Sequence, residues 1–191
     1  MNILIISHLY PRQRLTYYGI FVAKQLKYIQ QLGGQIKLIS PVPKTYRIQA
    51  FFSTKLEDYY TSKGEYDSPF LIERPQYWSF PFHFQYSKLW KRFLLAVTNT
   101  GFLRDKDYTP DIVHAHFLYP DAMAAGQLKK RYPKAKFVCT VHGSDIKRYP
   151  KLYNFISPLY HKYFNCFDHF IAVSNDIRQE LLKRELAPEK I

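Results

Sequence analysis

Hydrophobic and polar positions at the start of the chain predict a strand, a helix and a second strand in succession. Residues 3–6 form a continuous apolar run, which is typical of a parallel strand covered on both faces. Apolar residues then recur at the helical spacing i, i+4 and i+7 until two glycines end the helix, at Val22, Leu26, Ile29 and Gly33-Gly34. Residues 35–40 restart a strand pattern that Pro41 ends. The chain therefore opens with a βαβ unit.

The rest of the chain continues this alternation after an irregular stretch. Residues 41–83 carry five prolines and predict only a short strand at 70–72. An amphipathic helix with a basic side is predicted at 86–103. Further strands are predicted at 111–116, 136–141 and 170–173, and further helices at 121–131, at about 149–164 and from 176, where Ser174 or Asn175 can cap the helix. The alternation predicts an α/β fold, a Rossmann-like, mainly parallel sheet with helices on both faces.

Length and composition fit one domain outside the membrane. The chain has 191 residues, of which 47% are hydrophobic, so it can bury a substantial core. It contains no apolar run long enough to cross a bilayer, and its start lacks the basic segment and cleavage site of a signal peptide. We therefore expect a cytoplasmic protein. Cys139 and Cys166 lie in apolar-aromatic surroundings and are expected to be buried thiols.

The charge of the chain points to anionic partners. Lys and Arg number 28 against 15 Asp and Glu, for a formal net charge of +13. Nucleic acid, anionic lipid and diphosphate-bearing substrates would all be attracted. Aromatic residues make up 18% of the chain and often lie beside basic ones, which favours a membrane surface. No nucleic-acid-binding motif is present, so no nucleic acid partner is expected.

Two basic-aromatic stretches are the candidates for such a surface. The first is predicted to place Lys88, Trp90, Lys91 and Arg92 toward the membrane, and the second spans residues 147–155. Lys and Arg on a helix more often mean only a solvated face. The combination with aromatic residues is what favours the membrane interpretation.

Several histidines are predicted to meet at one edge of the sheet. The carboxyl ends of parallel strands face the same edge, where ligands bind in such folds. The residues that follow the predicted strands are Ser7-His8, His116, His142-Gly143-Ser144-Asp145 and Ser174. Polar residues end strands in any fold, so each of them alone is more often structural. Their convergence indicates a functional site.

A metal site is a second interpretation of the histidines. His114 and His116 are two residues apart on a strand and share a face, and His142 on a neighbouring strand would be a third ligand. A hydrolytic metal centre needs further carboxylate and histidine ligands in order, and His161 and His169 do not supply that pattern. We therefore expect no metal.

Four segments, in their order along the chain, resemble the amino-terminal domain of glycosyltransferase family four, retaining enzymes of the GT-B fold. They are Tyr18-Gly19-Ile20-Phe21-Val22, Asp111-Ile112-Val113-His114-Ala115-His116, Thr140-Val141-His142-Gly143-Ser144-Asp145 and Ala172-Val173-Ser174. Residues 187–191 are similar to the lead-in to the second domain of the family. The resemblance implies that residues 1–175 form the acceptor-side Rossmann-like domain of a GT-B fold. It implies that residues 176–191 are a helix and a lead-in to a second, nucleotide-sugar-binding domain, which is absent from this chain.

The resemblance also implies roles for particular residues. His142 matches a catalytic histidine that lines the donor-sugar pocket, and Gly19 matches a glycine whose backbone approaches the donor diphosphate. A diphosphate needs backbone N–H donors at a helix start, which is where Gly19 lies. The implied site is therefore donor-binding at Gly19, His142 and Gly143, with His116, Asp145 and Ser174 on the acceptor side of the cleft.

The function that the resemblance implies is sugar transfer. The donor would be a nucleotide sugar, and the acceptor a lipid-linked or carbohydrate hydroxyl at the inner face of a membrane, during surface polysaccharide biosynthesis. Family four implies hexosyl transfer with retention of configuration, with the donor phosphate assisting deprotonation of the acceptor and with no metal or other cofactor. The alternative is a non-catalytic module that binds anionic lipid or polymer.

Overall fold

A parallel sheet forms the centre of the computed structural model, which describes residues 1–13, 15–44, 67–79, 86–147 and 163–191. In chain order the elements are β1 Asn2–Ile6, α1 Ile20–Gln31, β2 Gln35–Ile39, β3 Val42–Lys44, β4 Leu71–Glu73, β5 Gln76–Trp78, α2 Leu89–Thr98, α3 Gly101–Arg104, β6 Ile112–His116, α4 Met123–Gln127, β7 Lys136–Val141, α5 Gly143–Lys147, β8 His169–Ala172 and α6 Asn175–Leu182. Short 3₁₀ turns lie at Tyr86–Lys88, Leu128–Lys130 and Pro188–Lys190, and an irregular turn at Leu118–Ala122.

The strand order confirms the predicted Rossmann-like α/β fold. Six strands pair in the order β4-β2-β1-β6-β7-β8, and every pairing in this sheet is parallel. The order runs outward in both directions from β1, so the chain crosses to opposite sides of the sheet after β1 and after β6. Ligands in such sheets bind beyond the carboxyl ends of the strands at this reversal. The crevice beyond β1 and β6 is therefore the expected binding place.

The apolar run of β1 is explained by burial on both faces. Ile3 and Ile5 pack in one hydrophobic cluster with Val22 and Leu26 of α1, while Leu4 and Ile6 pack in the other. Successive strand residues point to opposite faces, so a strand between two helical layers needs no polar positions. The second cluster also contains buried residues from α2, α4 and α6, namely Phe93, Val97, Met123, Ile177 and Leu181. Helices thus cover both faces, as predicted.

The helix predicted at 86–103 is broken in the structure. Its central part is α2, and a separate short helix, α3, begins after Thr100, whose backbone is extended at φ −70° and ψ 153°. The Glu73 carboxylate at the end of β4 accepts hydrogen bonds from the backbone N–H groups of Gly101 at 2.7 Å and Phe102 at 2.8 Å. A carboxylate at a helix start satisfies free N–H groups and opposes the positive end of the helix dipole. Glu73 therefore favours a new helix start over one continuous helix.

Two further differences concern turns and edges. The segment predicted as one helix at 121–131 consists of the irregular turn, α4 and a 3₁₀ turn. The stretch predicted as irregular contains a second, two-stranded parallel sheet formed by β3 and β5. The predicted helix at about 149–164 lies outside the described residues except for residues 163 and 164, which are helical, and the basic-aromatic residues at 148–155 also lie outside them.

The end of the chain packs against the domain. Ile177 and Leu181 of α6 are buried in the same cluster as β7 and β8, and Ile191 packs against that cluster. Ser174 caps α6, because its Oγ accepts a hydrogen bond from the N–H of Ile177 at 3.3 Å. The predicted cap is confirmed, while the predicted division of the chain at residues 175 and 176 stays a prediction.

Candidate functional site

Residues that follow three neighbouring strands meet at the carboxyl edge of the sheet. His8 follows β1, Phe117 follows β6 and His142 follows β7. The ring centres of His8 and Phe117 are 4.6 Å apart, and those of Phe117 and His142 are 4.5 Å apart. Phe21, in the first turn of α1, is 43% exposed, and its ring centre lies 4.6 Å from that of His142. The predicted convergence at this edge is found for His8, His116 and His142.

Gly19 is the N-cap of α1, and its backbone has a conformation that residues with a side chain rarely adopt. Its φ is 69° and its ψ is 22°, which is the left-handed region. A Cβ at this position would lie 2.5 Å from the carbonyl oxygen of Leu9 and 2.9 Å from the backbone nitrogen of Tyr10. The loop after β1 therefore folds directly against the start of α1. The helix N-terminus, which favours anions, is presented beside the same loop that carries His8.

Three histidines form a row from the core to the cleft. His114 Nε2 lies 2.8 Å from Thr140 Oγ, inside the sheet. The His114 and His116 rings stack with centres 4.5 Å apart, and His116 Nδ1 lies 3.4 Å from His142 Nε2. His114 and His116 are buried, and His142 is partly buried at the mouth of the row. The His142 ring therefore contacts His116 toward the core and also packs against Phe117.

Burial keeps this row uncharged. Desolvation, followed by repulsion from His142, lowers the pKa of His114 to about 4. Desolvation, followed by repulsion from His8, lowers the pKa of His142 to about 4. The same burial, with repulsion from the two neighbouring histidines, lowers the pKa of His116 well below 6.5. A neutral imidazole donates through one nitrogen and accepts through the other, so the chemistry of His142 suits a hydroxyl group as either donor or acceptor.

The metal interpretation finds no support in these contacts. His114 uses Nε2 toward Thr140, and the His116 ring lies stacked between its two neighbours. Over the described ranges, no group of three or more histidine, cysteine or acidic side chains is arranged to hold an ion. The geometry of the row favours a packed column of neutral rings.

A buried carboxylate pairs with His8, and the sequence did not predict it. Asp121 is fully buried, and its Oδ1 accepts a hydrogen bond from the His8 backbone N–H at 2.6 Å. Its Oδ2 lies 2.5 Å from His8 Nδ1. Burial raises the pKa of Asp121, and the contacts with His8 oppose that rise. The parallel topology predicted His8 at this edge of the sheet. It did not predict the partner, because 113 residues separate the two and the local pattern around Asp121 indicated only the start of a helix.

Three other predicted site residues are placed differently. Ser174 is exposed and its hydroxyl serves as the cap of α6. Asp145 lies in α5, and its side chain is outside the described part of the chain. A Cβ on Gly143 would lie 3.8 Å from Ile177 Cδ1, which is ordinary contact, so its neighbours do not require glycine there. The cleft roles of these three residues stay predictions.

The predicted membrane-facing residues divide into two groups. Lys88 and Lys91 are exposed, and Arg92 is half-buried. Trp90 is only 6% exposed and packs in the core, so the prediction that it faces a membrane is wrong. The helical spacing puts Trp90 on the apolar side of α2 with Phe93 and Val97, and the exposed apolar residue is Leu95 at 63%. Within the described ranges, no helix combines the length and apolarity needed to cross a bilayer.

Comparison with known proteins identifies a family for most of the chain. The sequence model of the family described as Glycosyltransferase Family 4 matches residues 19–191. The chain is also similar to a Bacillus subtilis strain 168 protein, TuaC, whose inferred role is that of a teichuronic acid biosynthesis glycosyltransferase. The two are 28% identical over 193 residues, which cover 96% of this chain and 46% of TuaC. The chain thus spans about half the length of this curated relative.

Solved structures share the fold. An inferred UDP-N-acetylglucosamine 2-epimerase from Listeria monocytogenes matches with a TM-score of 0.54 at 12% identity, over 100% of this chain and 44% of that one. The N-terminal domain of Candida albicans trehalose-6-phosphate phosphatase matches with a TM-score of 0.53 at 12% identity, over 96% of this chain and 42% of that one. At such low identity these matches show the fold alone.

Gly19→Ala tests the packing of the first loop against α1. We expect the free energy of unfolding to fall by about 3 kcal/mol, because left-handed strain and a clash with Leu9 act together. Gly33→Ala is the matched control, since Gly33 has φ 88° but nothing within 4 Å of its would-be Cβ. The control should lose only about 1–2 kcal/mol, the strain alone. Urea denaturation that shows the same loss of unfolding free energy for Gly19→Ala and Gly33→Ala would contradict the clash with Leu9.

Acid should destabilise the domain through the histidine row. An unfolded His114 has its ordinary pKa of 6.5, whereas the folded one has a pKa of about 4. The unfolded chain therefore binds the extra proton between these values, and the free energy of unfolding should fall as pH drops from 7 to 4. His114→Gln keeps a nitrogen near Thr140 but does not titrate. Its loss over this range should be smaller by roughly 3 kcal/mol.

The comparison between the two proteins measures what His114 contributes, both directly and through its repulsion of His116. The raised pKa of Asp121 acts in the opposite direction, since the folded state then holds a proton that the unfolded state releases. Asp121 and His142 are present in both proteins and neither owes its shifted pKa to His114, so their contributions cancel in the difference. Repulsion from His114 helps to lower the pKa of His116, so its removal reduces the loss of stability in acid further, in the same direction. Parallel pH curves for the wild type and His114→Gln would contradict the neutral, buried state of His114.

Proposed function

The chain belongs to glycosyltransferase family 4, and on that premise we propose that it walls the acceptor side of a sugar-transfer cleft. The donor is a nucleotide sugar, and the acceptor is a hydroxyl group of a membrane-associated molecule in surface polysaccharide biosynthesis. The relative from Bacillus subtilis, whose inferred role lies in teichuronic acid biosynthesis, supports this direction. The observation that carries the proposal is the meeting of His142, its aromatic neighbours and the start of α1 at the reversal of the sheet.

His142 is the proposed contact to the donor sugar. Its ring is fixed by His116 behind it and by Phe117 and Phe21 beside it. Such a preorganised neutral group can hydrogen-bond a sugar hydroxyl without the reorganisation that a mobile side chain or water requires. His142 therefore acts by position and dipole, and the lowered pKa keeps it uncharged throughout the neutral pH range.

The donor diphosphate is proposed to lie at the start of α1. The positive end of the helix dipole favours anions there, and Gly19, in the left-handed conformation just before the helix, adds no Cβ that would block their approach. In transfer, the bond from the sugar carbon to the phosphate oxygen breaks, a bond to the acceptor oxygen forms, and the nucleoside diphosphate leaves. The acceptor proton goes to an oxygen of the departing phosphate. Retention of configuration, hexosyl transfer and independence of metal are proposed on the same family basis.

The remaining contacts to the nucleotide are proposed to come from outside this chain. The relative TuaC is about twice as long as the segment matched here. A second α/β domain facing the cleft would then supply the base and ribose contacts, as the family resemblance implies. On this view the chain alone binds nucleotide sugars weakly.

We propose that the protein works at the cytoplasmic face of a membrane, held there by charge. Lys88, Lys91 and Leu95 are exposed at positions i, i+3 and i+7, which is one face of α2. Two cations beside one exposed apolar side chain suit an anionic bilayer surface. The same face supports the second candidate function, a non-catalytic module that binds anionic lipid or polymer. Turnover with a nucleotide sugar distinguishes the two.

His142→Ala tests the catalytic proposal in the full-length gene product. We expect turnover to fall by about 100-fold or more, because a preorganised polar contact to the reacting sugar is lost. The melting temperature should change little. His169→Ala is the matched control, since His169 begins β8 at the opposite edge of the sheet and is exposed. A less stable His142→Ala variant with normal specific activity would make His142 a structural residue only.

Replacing Lys88 and Lys91 by Gln tests the membrane proposal. Each Lys near an anionic surface contributes on the order of 1 kcal/mol, screened by salt. Sedimentation with vesicles of phosphatidylserine and phosphatidylcholine should therefore show clearly weaker binding for the double variant at low salt. The control replaces Lys24 and Lys27 of α1, which are also exposed and three residues apart. Equal weakening in both double variants would indicate a response to net charge alone.

A further inference from the structure

The helix α1 exposes apolar side chains in a line along its outer side. We propose that this line, together with the lysines beside it, binds an anionic carbohydrate chain, namely the sugars of the acceptor that precede its reacting hydroxyl. The inference rests on the proposed function for the identity of this chain as the acceptor. It goes beyond that function by giving the acceptor a second binding surface outside the crevice.

The line follows from the helical repeat. Phe21, Tyr28 and Leu32 are separated by seven and four residues, so a repeat of about 3.6 residues per turn places them within about 40° of one another around the helix axis. Tyr28 is 68% exposed and Leu32 is 89% exposed. A single exposed apolar residue is ordinary on a protein surface, whereas three in one line indicate a binding surface. We call these three residues the α1 stripe.

The α1 stripe begins at the crevice. Phe21 lies in the first turn of α1, and its ring centre is 4.6 Å from that of His142. Leu32 ends the stripe roughly 16 Å further along the helix axis, at about 1.5 Å per residue. A linear molecule whose end reaches the crevice at His142 can therefore extend along the outer side of α1.

Uncompensated positive charge lies beside the α1 stripe. Lys24 and Lys27 are exposed, and α1 contains no acidic residue. No Asp or Glu precedes Glu57 in the sequence, so the whole first part of the chain is basic. A surface of this charge attracts an anionic ligand.

The composition of this surface favours a carbohydrate over a protein partner. Lysine is depleted from the buried centre of protein–protein interfaces, yet Lys24 lies between Phe21 and Tyr28 along the helix. A pyranose ring presents C–H groups on its faces and hydroxyl groups at its edge. Its face can pack on the Tyr28 ring, while its hydroxyl or carboxylate oxygens accept hydrogen bonds from the lysine ammonium groups.

An anionic bilayer is the other ligand that suits aromatic and basic side chains, and the position of α1 disfavours it. The helix α1 packs with Ile3 and Ile5 on one face of the sheet, and α2 packs with Leu4 and Ile6 on the other. A flat membrane cannot contact the outer sides of both helices at once. Since α2 carries the proposed membrane contact, the α1 stripe faces away from the membrane.

The first experiment measures binding by the full-length gene product without any donor. Oligogalacturonate is the probe for an anionic carbohydrate, maltoheptaose is the neutral carbohydrate, and polyglutamate is the anion without sugar rings. In calorimetry the wild type should bind oligogalacturonate more tightly than either of the other two. Vesicles of phosphatidylserine and phosphatidylcholine test the membrane alternative. Thermal unfolding of each variant is followed in parallel.

We expect Tyr28→Ala to raise the Kd for oligogalacturonate about tenfold, because one aromatic contact is lost. High salt should leave this difference in place, since the packing of a ring on a sugar is not screened. Tyr28→Phe is the matched control, because it keeps the ring, and it should bind nearly as well as the wild type. Both variants should keep the thermal stability of the wild type, since Tyr28 is exposed.

Replacing Lys24 and Lys27 by Gln tests the charge beside the stripe. This double variant should bind oligogalacturonate more weakly at low salt, and added salt should remove the difference. The control replaces Lys130 and Lys134, which are exposed shortly before β7 at the opposite edge of the sheet. The control should leave oligogalacturonate binding unchanged, because it alters net charge equally but lies away from α1.

The second experiment tests whether the bound carbohydrate is the acceptor. Membranes of the source organism, depleted of the endogenous enzyme, supply the acceptor, and radiolabelled UDP-glucose, UDP-N-acetylglucosamine and GDP-mannose are the donor probes. Tyr28→Ala should raise the half-saturating amount of acceptor membrane about tenfold. The donor KM should not change, because Tyr28 lies about two helical turns from Phe21 and the crevice.

The outcomes distinguish this inference from the proposed function. A wild type that binds oligogalacturonate no better than maltoheptaose or polyglutamate would overturn the inference, and so would normal binding by Tyr28→Ala. Weaker vesicle binding by Tyr28→Ala would assign the stripe to a membrane and also overturn it. If transfer continues in these cases, the proposed function stands. The expected binding without transfer from any of the three donors would overturn the proposed function and the acceptor role of the stripe with it.

Discussion

Strand β1 is buried on both faces, because Ile3 and Ile5 pack under α1 while Leu4 and Ile6 pack under the helices of the other layer. A strand with no polar face must lie inside the sheet, and β1 pairs with β2 on one side and β6 on the other. The crossovers therefore diverge from β1 and open a crevice at its carboxyl end. The positions of His8, Gly19 and Phe117 all follow from this one constraint, since each lies in a connection that leaves β1 or β6.

The crevice combines neutral rings with one buried carboxylate. Desolvation removes the proton from the histidine row, so its members contribute shape and hydrogen bonds. The charge beside them comes from Asp121, whose burial would be unfavourable without the two contacts to His8. A site of this composition is suited to a sugar, which is neutral and rich in hydroxyls. The start of α1, at the rim, is suited to the anionic part of a donor.

Local patterns in the sequence predicted most elements of the fold and only part of the site. The strands and α1 follow from apolar periodicity within a few residues, and the convergence of His8, His116 and His142 follows from the parallel topology. The break at Thr100 could not be predicted locally, because it depends on Glu73 from another strand. The same holds for Asp121, which acts through a partner 113 residues away. For Trp90 the local pattern was sufficient, because the helical spacing already placed it on the apolar side of α2. The prediction that it faces a membrane gave more weight to the neighbouring charged residues and was wrong.

The loop after β1 connects His8 with the start of α1. Ser7 Oγ donates to the Leu9 carbonyl at 2.8 Å, and that carbonyl is the atom that a Cβ on Gly19 would meet. His8 lies between these residues and is itself clamped by Asp121. Contacts within the chain therefore require a glycine at this position, whether or not a ligand is bound. A shift of this loop would move the start of α1 and His8 together, so these two parts of the crevice are coupled through one backbone segment.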